Sequence, residues 1–156
     1  MSEDANIELA RRLLAAFAAG DEGVVDALIH PAHREHGVFD SARGPDGVRA
    51  AIRWARDTFA ERRIVPQDLV ASGDRVVARI RVSAVPIGDV CGIAAAGRPI
   101  EVEHIHIWRV AGERLVEHWM VRDDLAAITQ LRGKPGRPLA SDSATGGAVS
   151  VRSCGA

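Results

Sequence analysis

The chain has 156 residues, 47% of them hydrophobic and 26% charged, which suits one soluble globular domain with a real core and is too short for two comfortable ones. A net charge of −1 gives no electrostatic footprint for nucleic acid or an anionic membrane surface, and no apolar run approaches the length of a bilayer span. Two distant cysteines, Cys91 and Cys154, make a poor disulfide framework and point to a reducing cytoplasm.

The amino terminus, Met1-Ser2-Glu3-Asp4, is acidic and reads as a helix start rather than a signal peptide. Ile7, Leu9, Ala10, Leu13, Leu14 and Phe17 follow at helical spacing, and Gly20 is a sensible stop. Asp21 reads as the N-cap of a short second helix carrying Val24, Val25, Leu28 and Ile29, ended by Pro31. His33 to Phe39 is mixed, either a loop or a brief strand. Gly44-Pro45-Asp46-Gly47 is a turn or a helix start, and the helix that follows runs to about Arg62, with Val48, Ile52 and Phe59, and also Trp54 and Ala55, facing inward.

The period then changes from helical to alternating. Ile64 to Ala71 is extended, and Ser72-Gly73-Asp74-Arg75 is a turn. Val76, Ala78, Ile80 and Val82 face one way along the next strand, with Arg79 and Arg81 on the other side. Pro86 to Gly97 is a loop rich in glycine and alanine. Pro99 to Val110 and Leu115 to Arg122 form a hairpin, and Asp123 caps a last helix, Asp124 to Leu131. Beyond Gly133 there is too little apolar mass to offset ordering entropy, so residues 1–133 are the expected domain and 134–156 a disordered tail. Helices first and then a run of strands imply an α+β domain.

The hairpin carries His104, His106 and His118, three of the six histidines, beside Trp108 and Trp119. Imidazole titrates nearest neutrality, so a cluster of such rings beside indoles suggests acid–base chemistry on an apolar molecule. His104, His106 and Trp108 alternate along one face of their strand, and His118 and Met120 share a face of theirs. Whether both sets look into one space depends on the turn at Ala111 to Arg114. An odd loop puts His106 opposite His118 or Met120, and an even loop sends the sets to opposite faces.

Several segments together resemble the SnoaL-like polyketide and ester cyclases of the nuclear transport factor 2-like (NTF2-like) superfamily. The carriers are Gly44-Pro45-Asp46-Gly47-Val48-Arg49, His106-Ile107-Trp108-Arg109-Val110, Leu115-Val116-Glu117-His118-Trp119, and Arg122-Asp123-Asp124-Leu125 with Gln130-Leu131. The resemblance spans roughly residues 5 to 133. It implies a cone of curved antiparallel sheet closed by N-terminal helices around an apolar cavity, and a homodimer joined through the outer sheet face. It also implies cofactor-free cyclisation of a polyketide-type small molecule in secondary metabolism, as in antibiotic biosynthesis. The family's acid/base aspartate follows the His-Trp pair. Here that position is Met120, which cannot transfer a proton, so the chemistry falls to another group or differs from an aldol closure.

The candidate proton carriers are His106 and His118, with His104, His36 or Glu103 stabilising developing charge. Any single histidine among them serves equally well as a ring hydrogen-bonded within the sheet or packed at a subunit contact. Either Glu103 or Glu117 could orient an imidazole. His30 reads as a helix-end residue and Asp123 as a cap rather than an acid. Trp54, Phe17, Phe39, Phe59, Trp108 and Met120 are candidates to line a pocket, although such side chains are most often plain core. Three imidazoles at His-X-His spacing would also suit zinc, but the family resembled is metal-free and neither metal nor cofactor is expected. Two other readings share the scaffold: a non-catalytic binding or accessory protein, and a hydrolase or dehydratase.

Overall fold

The computed structural model describes residues 2–36, 43–90, 92–95 and 97–133. Phe39, both cysteines and the expected tail, 134–156, lie outside the described residues. The elements are α1 (Glu3–Ala19), α2 (Val25–Leu28), β1 (Ile29–His36), α3 (Gly44–Thr58), β2 (Phe59–Ser72), β3 (Arg75–Pro86), β4 (Ile100–Ala111), β5 (Arg114–Arg122) and α4 (Asp124–Leu131). One sheet runs in the order β1-β5-β4-β3-β2. Three of its pairings are antiparallel and the fourth, β1 with β5, is parallel.

Helix α1 is bounded as its sequence demands. The Ser2 side chain accepts from the Ala5 N–H, Glu3 and Asp4 sit in the first turn, and Gly20 takes a left-handed φ of 73° at the end. Its apolar stripe of Leu9, Ala10, Leu13 and Leu14 packs with Val76, Ala78, Ile80, Trp108, Val110 and Leu115 from the sheet, and with Val48 and Ile52 from α3. A second cluster joins Ala127 and Leu131 of α4 to Ile100, Val102 and Val90. Asp123 caps α4 as expected, accepting from the Ala126 N–H.

Several local readings need correction. The second helix ends at Leu28, before Pro31, and the chain enters β1 directly. Pro31 sits inside this strand because β1 is at the sheet edge, where a missing N–H costs little. Asp21 does not cap α2; its side chain accepts from Gly23 in a local turn. Nor does His30 meet helix carbonyls, since its Nδ1 accepts from the Ala32 N–H.

The third helix stops at Thr58 rather than Arg62. Glu61 has a positive φ of 51°, which helical backbone forbids. Arg62 then turns back, and its guanidinium donates to the carbonyls of Phe17, Ala18, Ala55, Arg56 and Phe59. One side chain thus ties the ends of α1 and α3 to the start of β2. Trp54 is on the outward side of α3, 44% exposed, with its ring edge-on to Phe59.

Candidate functional site

Three side chains are joined in a line on the helix-covered face of the sheet. His106 Nδ1 lies 2.9 Å from His118 Nε2, and His118 Nδ1 lies 2.7 Å from Glu35 Oε2. Trp108 lies beside both rings, with centroids 5.1 Å from His106 and 5.0 Å from His118, and its plane is within 10° of each. The two imidazoles are tilted by only 7° to one another.

Two irregularities in the sheet create this line. The β4–β5 turn is a two-residue loop, Gly112-Glu113, with φ of 53° and 62°; positive φ at both central residues suits the twist of a tight hairpin. Taken alone, that even loop would send His118 to the face opposite His106. Between Arg109 and Val110 the register shifts, because Val110 pairs with Leu115 while Arg109 pairs with Glu117. Val116 is the extra residue, buried together with Leu115. Beyond this bulge Trp108 faces His118 and His106 faces Met120. In β1, a second shift between Ile29 and Arg34 brings Glu35 level with His118.

The surroundings oppose a positive charge on His106, His104 and His33. Burial pushes His106 well below its ordinary value of 6.5, helped by neighbouring His118, His104 and Arg122. His104 is pushed down to about 4 by burial and by Arg122, which pairs with it across the strands. His33 is likewise pushed down to about 4 by burial, partly offset by Glu35. Three buried nitrogens in this neighbourhood have no hydrogen-bond partner among the described residues: His106 Nε2, His33 Nδ1 and Trp108 Nε1. A buried polar atom left unmet costs about 1–3 kcal/mol, so three of them call for a functional reason.

The structure therefore brings His104, His106, His118, Trp108 and Met120 to one face. Glu103 and His36 stand apart on the other side of the sheet, because strand alternation turns them there. Glu103 accepts from Arg79 at 3.0 Å, and His36 stacks on Trp119 at 4.6 Å with Nε2 3.3 Å from Glu117. Glu117 itself is ion-paired with Arg109, which holds its carboxyl below the ordinary value. Phe17 packs against the main core, and Phe59 against the α4 cluster.

Glu35 and His33 were absent from the expected site. The available signal was a carboxylate flanked by two histidines, His33-Arg34-Glu35-His36, but its strand partner could not be read without the β1 register. Among the described residues no group of three or more His, Cys, Asp or Glu side chains is arranged to hold a metal ion. His106 Nδ1 and His118 Nε2 face one another. A separate cavity of about 310 Å³ lies between Asn6, the β2–β3 turn and the β4–β5 turn, and no histidine lines it. No helix among the described residues is long and apolar enough to cross a membrane.

Comparison with known proteins agrees with this architecture. The family model "SnoaL-like polyketide cyclase" matches residues 7–131. Aklanonic acid methyl ester cyclase AcmA of Streptomyces galilaeus is 30% identical over 121 residues, covering 76% of this chain and 83% of that protein. Aklanonic acid methyl ester cyclase DnrD of Streptomyces peucetius is 28% identical over 133 residues, covering 83% of this chain and 91% of that protein. Among solved structures, TsrD from Streptomyces laurentii is 32% identical, covers 84% of this chain and 97% of its own, and superposes with a TM-score of 0.77. A SnoaL-like polyketide cyclase from Agrobacterium tumefaciens, 16% identical with a TM-score of 0.73 over 84% of this chain and 99% of its own, shares the fold. The α+β architecture with its curved sheet, the order of the elements and the match over residues 7–131 place the chain in the SnoaL-like polyketide cyclase family, and it is a cyclase by that descent.

Proposed function

We propose that this chain closes a ring in a polyketide-type ester, without a cofactor, using histidine as the proton carrier in an apolar cavity over the inner sheet face. The observation that carries the reading is His106 Nε2, a buried ring nitrogen with no partner among the described residues, in a ring hydrogen-bonded to His118. A base in this state can take a proton from the nucleophilic position of a bound substrate and return it to the oxygen that gains charge on closure. Holding both reacting ends of one molecule against Trp108 and Met120 supplies the remainder by proximity. Unmet Trp108 N–H and His33 nitrogens favour a ligand that is largely apolar but carries oxygens.

The substrate class is proposed from the curated relatives, which are aklanonic acid methyl ester cyclases. The protein is proposed to work in the cytoplasm as a homodimer. Supporting the dimer, the outer sheet face carries Val65, Val70, Val77, Ile105 and Val121 as exposed apolar side chains. Val70, Val77, Ile107 and Trp119 stand in one cross-strand row. A contiguous apolar row of this kind on an exposed face supports an interaction surface.

The test is incubation of purified protein with aklanonic acid methyl ester and related polyketide esters, followed by chromatography and mass spectrometry. Cyclisation gives a new product of unchanged mass, lost in the His106→Ala variant. Release of methanol, with oxygen-18 from solvent in the resulting acid, would make the protein a hydrolase. Loss of one water would make it a dehydratase, and saturable binding without turnover would make it a carrier.

A further inference from the structure

We propose that Glu35 is the positioning residue of a two-histidine proton relay, fixing the hydrogens of His118 and His106 so that the accepting lone pair stands on His106 Nε2. The proposal rests on the cyclase reading and deepens it by assigning each proton to an atom.

The assignment follows from what each group can do. An ionised carboxylate only accepts, so His118 Nδ1, 2.7 Å from Glu35 Oε2, carries the hydrogen and donates it. A neutral imidazole has a single N–H, so His118 Nε2 is an acceptor. His106 Nδ1, 2.9 Å away, is then the donor of the second bond. The ring nitrogen left without a hydrogen is His106 Nε2, the atom that is buried and unpartnered. Reversing either tautomer would set two lone pairs, or two N–H groups, against each other.

The relay also resolves a difficulty made by burial. A lone buried imidazole beside His104 and Arg122 is a poor place for positive charge. In the proposed step, Nε2 of His106 takes a proton from the substrate, which keeps the electron pair of the broken bond. His106 Nδ1 passes its hydrogen to His118 Nε2, while His118 keeps the hydrogen bonded to Glu35. The new charge thus rests on the ring that touches the carboxylate. When the ring closes, the electron pair enters the new bond and the carbonyl oxygen gains the negative charge. Return of the proton from His106 Nε2 reverses both shifts, so no co-reactant is consumed. The other ionisable group facing Glu35 is His33, and Arg122 and His104 face His106. This arrangement puts a carboxylate behind the proton path, hydrogen-bonded to its last ring, although position 120 is methionine.

The experiment joins nitrogen-15 NMR of the histidine side chains in the full chain to steady-state kinetics of Glu35→Gln and Glu35→Asp. In the unsubstituted protein, both His118 and His106 should appear as Nδ1–H tautomers. Glu35→Gln should lower kcat by about 100-fold or more with KM within about threefold, the range for a lost proton-transfer function. Glu35→Asp should recover part of the rate. An Nε2–H tautomer at His106 with Glu35 intact, or an undiminished kcat in Glu35→Gln, would overturn the relay. Absence of turnover in the unsubstituted protein would instead overturn the cyclase reading, and the tautomer result would still decide the hydrogen-bond order.

Discussion

Trp108 and His118 face each other across the β4–β5 ladder only because Val116 is an extra residue in β5. Without that bulge, the two-residue turn would place His118 on the outer face with Glu103 and turn Glu117 inward. The bulge acts as a register switch, and the Glu35–His118–His106 line depends on it.

Because the line is a single path, its two imidazoles should behave as one unit. His106→Ala and His118→Ala are each expected to lower kcat by about 100- to 10,000-fold, and the double variant by little more than the worse single. Rate constants for the four proteins, measured with one ester at saturating concentration, check this. Multiplicative losses in the double variant would mean that the rings work independently.

The sequence shows how much of this is local information. Helix α1, helix α4 and the alternation of β3 are written in spacing and caps, because those signals depend on residues close in the chain. His104, His106 and Trp108 share a face for the same reason. The loop count alone points the wrong way for His118, since a bulge reverses parity and depends on the burial of Leu115 and Val116 together. Glu35 is harder still. It reaches His118 across 83 positions through a parallel pairing of β1 with β5, and a shift near Pro31 sets the level. No periodicity within residues 29–36 encodes that partner. Trp54 misleads for another reason: it lies on the outer side of α3 and packs edge-on to Phe59 at 5.6 Å.

Met120 is the cross-strand neighbour of His106. Met120→Asp would place a carboxylate beside a ring whose protonation burial now opposes. Opposite charge favours the imidazolium, so the pKa of His106 should rise. A base works only when deprotonated, so the acid limb of kcat/KM should lie below pH 6.5 in the unsubstituted enzyme and move upward in the variant. Side-chain NMR titration of His106 and the pH–rate profile should shift together. An unmoved limb would show that His106 is not the group whose ionisation limits the rate.

Stability should depend on acid in a defined window. His33 and His104 fall from 6.5 when unfolded to about 4 when folded. Between those values the unfolded chain binds more protons, so the stability is fully present above about pH 6.5 and is lost as pH falls toward 4. Each ring can contribute a slope of up to about 1.4 kcal/mol per pH unit, less where solvent reaches it. Urea midpoints from pH 7.5 to 4.5 should decline mainly below 6.5, and His104→Asn should flatten the decline. An unchanged slope in that variant would contradict the buried neutral state of His104.

The outer face makes the last prediction. Val77 pairs with Val70 on one side and Ile107 on the other, at the centre of the apolar row, and remains 39% exposed. In a homodimer joined through this face, Val77→Asp would bury an unpaired carboxylate, which costs several kcal/mol. The dimer should therefore weaken by about 100-fold or more, visible in light scattering over a dilution series. The Glu35–His118–His106 line lies within one chain on the opposite sheet face, so turnover per chain should stay within about threefold. Loss of activity in step with dissociation would show instead that the partner's chain completes the site, and a monomer at every concentration in the unsubstituted protein would leave the apolar row to some other partner.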